Sequence, residues 1–172
     1  MKMPAWTTAA LLGLLFAFTA PAHAGVGVGD IPPDQLGRSH QGDDIRISAF
    51  HGKVMVVTFW ASWCGYCRKE LPVLAGLQDA AGKQRLEVVA VNYNDDRDVY
   101  LSLARKLKDV QLTLTYDASG RIGEAYGVKG LPYLLIIGKD GKVAFQDTGY
   151  GEESLQTIVD AVNRELAKPG AS

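Results

Sequence analysis

An α/β fold, with a mixed central sheet of about four or five strands and helices on both faces, is predicted from three observations. Val54 to Trp60 is an unbroken apolar and β-branched run, the pattern of a strand buried on both faces. After it, stretches of helical periodicity alternate with short apolar runs, which implies a parallel element joined by helical crossovers. Near the C-terminal end Lys139-Asp140-Gly141 separates two strand-like runs and reads as a hairpin turn, which makes the last two strands antiparallel.

The N-terminus reads as a targeting segment rather than as part of the fold. Lys2 precedes an apolar run from Ala9 to Ala20, followed by Pro21-Ala22-His23-Ala24, the order expected of a secretory signal peptide over residues 1–24. The run is too short to span a bilayer comfortably, so cleavage before Gly25 is expected, with an uncleaved anchor as the alternative. No cysteine follows the run, which excludes a lipoprotein anchor at that place. Residues 25–172 then form one domain, as the 47% hydrophobic and 22% charged composition of a globular chain suggests. The formal net charge is −1, and loss of Lys2 with the segment makes it one unit more negative. Nothing in that balance recruits nucleic acid or an anionic membrane surface. Membrane attachment is expected only if the signal segment is retained.

Gly25 to Gly42, with Pro32-Pro33 in its middle, reads as an irregular lead-in, and Ile45 to Ser48 as a short strand. Gly52-Lys53 marks the turn into the Val54–Trp60 strand. From Cys64 to Ala80 the spacing predicts a helix with Leu71, Leu74 and Leu77 on one face, kinked at Pro72 and closed by Gly82. Leu86 to Val91 is a second strand, and Asp96 to Lys108 an amphipathic helix with Val99, Leu103 and Leu107 on its buried side. Leu112 to Tyr116 is a third strand and Ser119 to Tyr126 a short helix. Tyr133 to Ile137 and Lys142 to Gln146 form the hairpin. Leu155 to Leu166 is the last helix, with Leu155, Ile158, Val159 and Val162 apolar. There is no internal repeat.

Both cysteines of the chain, Cys64 and Cys67, lie where the first strand meets the first helix. An exported chain meets an oxidising compartment, where paired thiols tend to form a disulfide. At the start of a helix, unpaired backbone N–H groups and the dipole favour negative charge, which lowers the pKa of the first thiol and makes Cys64 a nucleophile. Cys67, about one turn on and less open, is placed to resolve a mixed disulfide formed on Cys64. A purely structural disulfide would close a very short loop and restrict the unfolded chain little. A structural zinc site needs four ligands, whereas in the expected mature chain these cysteines are accompanied only by His40 and His51, neither at finger-like spacing. Covalent haem attachment needs a histidine where Arg68 stands.

Phe59-Trp60-Ala61-Ser62-Trp63-Cys64-Gly65-Tyr66-Cys67, followed by Pro72, resembles the active site of the thioredoxin superfamily. Gly52-Lys53 ahead of the strand, and Val128-Lys129-Gly130-Leu131-Pro132 ahead of the hairpin, are similar to the exported TlpA/ResA-like branch. A helix and strand lie between the second core strand and Pro132, as in that branch. The resemblance covers about Gly29 to Leu166 and implies a thioredoxin fold. It also implies that Pro132 is cis beside the cysteines and that Leu131 contacts substrate. Trp63, Gly65 and Tyr66 complete the implied substrate-facing set, and the Gly65-Tyr66 pair tunes thiolate stability and so reduction potential.

Two positions depart from the pattern. Thr58 stands where cytoplasmic thioredoxins have a buried aspartate, so proton transfer at Cys67 falls to water or to Glu70, a helical residue otherwise expected at the surface. Tyr133 replaces a frequent threonine after the proline and is expected to pack. Trp60 is expected in the core, and His40 and His51 are expected in solvated loops. Asn94-Asp95-Asp96-Arg97-Asp98 is oxygen-rich enough for a cation, but capping of the second helix is the simpler reading.

The resemblance implies a periplasmic thiol-disulfide oxidoreductase whose only redox group is the Cys64-Cys67 pair, with no added cofactor and no metal. It would reduce disulfide-containing client proteins and be recharged by a membrane thiol transporter. Cytochrome c maturation and copper-site assembly are the roles implied. The alternatives are a disulfide isomerase or oxidant, since Gly65-Tyr66 is similar to an exported isomerase, and a Cu(I) metallochaperone, since two exported thiolates suit Cu(I). That isomerase has an N-terminal dimerisation region for which there is no room before Ile45. Sco-type copper chaperones carry a wider cysteine spacing and a distal histidine, and no histidine follows Cys67. The peroxiredoxin pattern is absent ahead of Cys64.

Overall fold

In a computed structural model that describes residues 25–107 and 109–170, the chain runs through two short strands, β1 (Gln35–Ser39) and β2 (Asp44–Arg46), and a 3-10 turn, Ile47–Phe50. It then enters β3 (Val54–Trp60), α1 (Gly65–Ala81), β4 (Leu86–Tyr93), α2 (Arg97–Lys106) and β5 (Thr113–Asp117). α3 (Arg121–Tyr126), the hairpin β6 (Tyr133–Ile137) and β7 (Val143–Thr148), and α4 (Glu152–Ala167) complete it. The expected signal segment, residues 1–24, lies outside the described residues.

All the strands among the described residues join one seven-stranded sheet in the order β2-β1-β5-β4-β3-β6-β7. β3, β4 and β5 are parallel, as the helical crossovers require, and β6 and β7 are antiparallel. The sheet therefore has more strands than the four or five expected. Gln35–Ser39 is a strand rather than irregular lead-in, pairing antiparallel with both β2 and β5. Its sequence hid it, because its pairing is made by backbone groups and the strand buries only Leu36 and Gly37. Gly37 has φ +97°, and a Cβ built there would lie 2.8 Å from the Tyr116 carbonyl oxygen, which belongs to rigid backbone. Gly37→Ala is expected to destabilise the fold by about 2 kcal/mol through left-handed strain and that clash. An unchanged midpoint in urea unfolding would show that the β1–β5 pairing is looser than this.

The alternation of side chains along β3 and β4 divides the core. Met55, Val57, Phe59, Val89 and Val91 face Tyr126 of α3 and the 3-10 turn. Val54, Val56, Leu86 and Val88 face Leu74 of α1 and Ile158, Ala161 and Val162 of α4. Trp60 and Ala90, at the other end of that second face, meet Leu71 of α1 and Tyr100 and Ala104 of α2. α2 is thus rotated from its expected orientation: Tyr100 and Ala104 are buried, Leu103 and Leu107 are half-buried, and Val99 is exposed. A tyrosine can take the buried place because its hydroxyl donates to the Leu114 carbonyl at 3.1 Å. α1 continues through Pro72, which lies on its exposed side.

Candidate active site

The parallel strand β3 ends at Trp60, and α1 begins after four intervening residues. The intervening turn is closed by the Cys64 N–H donating to the Ala61 carbonyl at 3.1 Å. Cys64 is the N-cap of α1 with an extended backbone, and its Sγ accepts the Cys67 N–H at 3.1 Å. A sulfur thus stands where a capping oxygen usually stands, receiving an N–H that the helix cannot satisfy internally. Negative charge on Cys64 would be stabilised there by the same hydrogen bond and by the helix dipole. Cys64 and Cys67 are joined in a disulfide with Cα atoms 5.3 Å apart. Cys64 is 6% exposed and Cys67 fully buried, so the first sulfur is the accessible one.

The predicted substrate-facing residues Trp63, Gly65 and Tyr66 lie next to the cysteines in the chain. Trp63 and Tyr66 are 70% and 59% exposed, an unusual placement for large aromatic side chains, and Gly65 between them is exposed as well. The Leu131–Pro132 bond is cis, as expected. Leu131, half-buried, packs against the cluster that contains Cys64, Cys67 and Trp60, so this loop lies beside the disulfide. Tyr133 is buried with its ring against Phe59, which agrees with a packing role. Trp60 is buried, and its indole nitrogen has no partner among the described residues. His40 and His51 are exposed.

Glu70 is not at the surface, where its place on a helix would put it by default: it is 1% exposed. Its Oε2 accepts the Thr58 hydroxyl at 2.7 Å, and its Oε1 has no partner among the described residues. The acid absent from position 58 is therefore supplied across the same contact by the helix, three residues after Cys67 and on the same helical face. Burial pushes the Glu70 carboxyl up from 4.5 to about 7. The Thr58 hydrogen bond works against that rise, and the negative charge of Asp147 adds to it.

Asp95 was missed from the sequence. The acidic run Asn94–Asp98 does sit at the start of α2, where Asp96 is the N-cap, yet no side chain there makes the capping hydrogen bond. Asp95 turns to the cysteine loop instead, accepting from the Ser62 N–H at 2.7 Å and the Ser62 hydroxyl at 2.9 Å. The signal that could have found it is topological. Trp60 and Asn92 are register partners on parallel strands, so the loops that follow them lie side by side.

The Redoxin family model matches residues 27–162. The chain is 32% identical over 146 residues to the thiol:disulfide interchange protein CycY of Rhizobium leguminosarum bv. viciae, covering 76% of this chain and 77% of that protein. It is 31% identical over 145 residues to the thiol-disulfide oxidoreductase ResA of Bacillus subtilis (strain 168), covering 84% and 78%. A crystal structure assigned as thiol:disulfide interchange protein DsbE from Chlorobium tepidum superimposes with a TM-score of 0.75 at 29% identity, covering 83% of this chain and all of that one.

Proposed function

The chain belongs to the Redoxin family of the thioredoxin superfamily and is a thiol-disulfide oxidoreductase, and from that premise we propose that it reduces disulfides of exported client proteins through Cys64 and Cys67. The observation that carries the reading is the Cys64 sulfur at the helix N-cap, accepting the Cys67 N–H, with Cys67 buried behind it. The reduced enzyme attacks a client disulfide with the Cys64 thiolate, forming a mixed disulfide and releasing one client thiolate. Cys67, once deprotonated, attacks the Cys64 sulfur, releases the second client thiolate and leaves the Cys64-Cys67 disulfide. Two electrons pass to the client. Glu70 accepts the Cys67 proton, a role supported by its burial on the same helical face and its raised pKa. Trp63, Gly65, Tyr66, Leu131 and Pro132 receive the client chain.

The apolar N-terminal run supports export to the periplasm, where a reductant left oxidised after each turnover needs an electron donor, for which a membrane thiol transporter is the proposed source. Clients that must be reduced before a haem or copper is attached fit such a reductant, which is the role in cytochrome c maturation or copper-site assembly.

Two measurements test the proposal. Cys67→Ala is expected to accumulate client proteins disulfide-linked to Cys64, because the resolving thiol is missing; recovery of no mixed disulfide would remove Cys64 from the assigned role. The reduction potential of the pair, read by thiol trapping in defined thiol buffers, is expected at or below roughly −270 mV, the range of a reductant. A value near −120 mV, on the same scale, would instead indicate an oxidant or isomerase.

A further inference from the structure

Asp95 is buried, carries a carboxylate, and has no part in the exchange steps above. Its Oδ2 accepts both the Ser62 N–H at 2.7 Å and the Asn92 side-chain amide at 2.8 Å, while its Oδ1 accepts the Ser62 hydroxyl at 2.9 Å. Its backbone is held as well. The Tyr116 hydroxyl donates to the Asp95 carbonyl at 2.7 Å, and the Tyr116 ring stacks on Tyr100 at 4.9 Å. Asn94, just before it, adopts φ +57°, a left-handed conformation that asparagine tolerates, and its N–H donates to the Asp117 carbonyl at 3.1 Å. A carboxylate only 9% exposed is costly to desolvate unless its acceptors are filled. α2 makes no capping use of it, since Asp96 is the N-cap.

Two of the three donors belong to Ser62, which lies inside the turn closed by Cys64 N–H to Ala61 carbonyl. That turn sets where the Cys64 sulfur sits relative to the first N–H groups of α1. Ser62 is only half-buried and Trp63 is exposed, so packing alone restrains this stretch weakly.

We propose that Asp95 is a positioning residue for the dithiol: by gripping Ser62 at both its backbone and its hydroxyl, it holds the Cys64 sulfur over the N-terminus of α1, where the thiolate is stabilised. The inference rests on the reading of Cys64 as the nucleophile. It is a claim about geometry rather than charge. An asparagine at this position can keep the grip, with its amide oxygen accepting from Ser62 N–H and Asn92 and its amide NH2 donating to a rotated Ser62 hydroxyl. Alanine keeps none of it.

The test is the rate of iodoacetamide alkylation of Cys64 at pH 7 in the reduced residue 25–172 chain, read by peptide mass spectrometry, with thermal unfolding as a control for folding. D95A is expected to slow alkylation about tenfold, and D95N to stay within about twofold of the parent. Parent-like alkylation in D95A, with only a lowered Tm, overturns the proposal in favour of a merely structural role. Equal slowing in D95N and D95A overturns it in favour of a charge effect. Should D95A fail to fold, Ser62→Ala removes one of the two bonds to Ser62 and is expected to slow alkylation about threefold; an unchanged rate there also overturns it. Failure of the underlying reading shows separately, in the parent protein, as Cys67 reacting faster than Cys64.

Discussion

Cys64→Ala is expected to abolish reduction of protein disulfides, with turnover falling on the order of a thousandfold or more. Thiol-disulfide exchange needs a thiolate in line with the disulfide, and the remaining candidate, Cys67, is fully buried. Cys67 also lacks the N-cap place that favours a sulfur anion, since it lies inside α1. The contrast with Cys67→Ala is informative because each variant stops a different step. Without Cys64 no mixed disulfide forms, whereas without Cys67 it forms and persists. An insulin-reduction assay with dithiothreitol as donor, on variants whose circular dichroism matches the parent, checks this. Retained turnover in Cys64→Ala would place the nucleophile elsewhere.

Glu70 gives the second large effect, in stability rather than turnover. Its carboxyl titrates near 7 in the folded protein against about 4.5 when unfolded, because folding removes it from water. Between those values the folded state binds the extra proton, so its stability falls as pH rises from about 4.5 through 7 and levels off above. At about 1.4 kcal/mol per pKa unit the total is on the order of 3 kcal/mol. Glu70→Gln keeps an acceptor for the Thr58 hydroxyl and cannot ionise, so it is expected to be more stable than the parent at pH 8 by about that amount and similar at pH 4.5. Urea unfolding of the oxidised protein across this range is the measurement. If Glu70 also serves Cys67, the same variant loses the pH dependence of client release. Parallel stability curves for parent and variant would show that Glu70 is already hydrated in the fold.

The central strands and the cysteine site were legible without coordinates because their physics is local. Val54–Trp60 has the unbroken apolar pattern of a strand sealed on both faces, and Cys64 follows it where helical spacing begins. The family resemblance implied the cis Leu131–Pro132 bond and a substrate-facing Trp63 and Tyr66, and the bond is cis and both aromatic side chains are exposed. β1 was not legible, since its pairing with β5 is made by backbone groups that carry no side-chain pattern. Neither was the burial of Glu70: helical spacing puts it on the face shared with Cys67 but does not say that Thr58 lies beneath. Asp95 and Ser62 are 33 residues apart and meet only because β3 and β4 pair in parallel, which brings the loops at their C-terminal ends together. Sequence alone thus determined that the two cysteines stand where a buried strand meets a helix N-terminus, and on what kind of scaffold, because helix capping and strand burial act over a few neighbouring residues. The tertiary structure alone decided that Glu70 is buried against Thr58 and that Asp95 grips Ser62, because hydrogen bonds across strands and loops depend on register, which no short stretch of residues encodes.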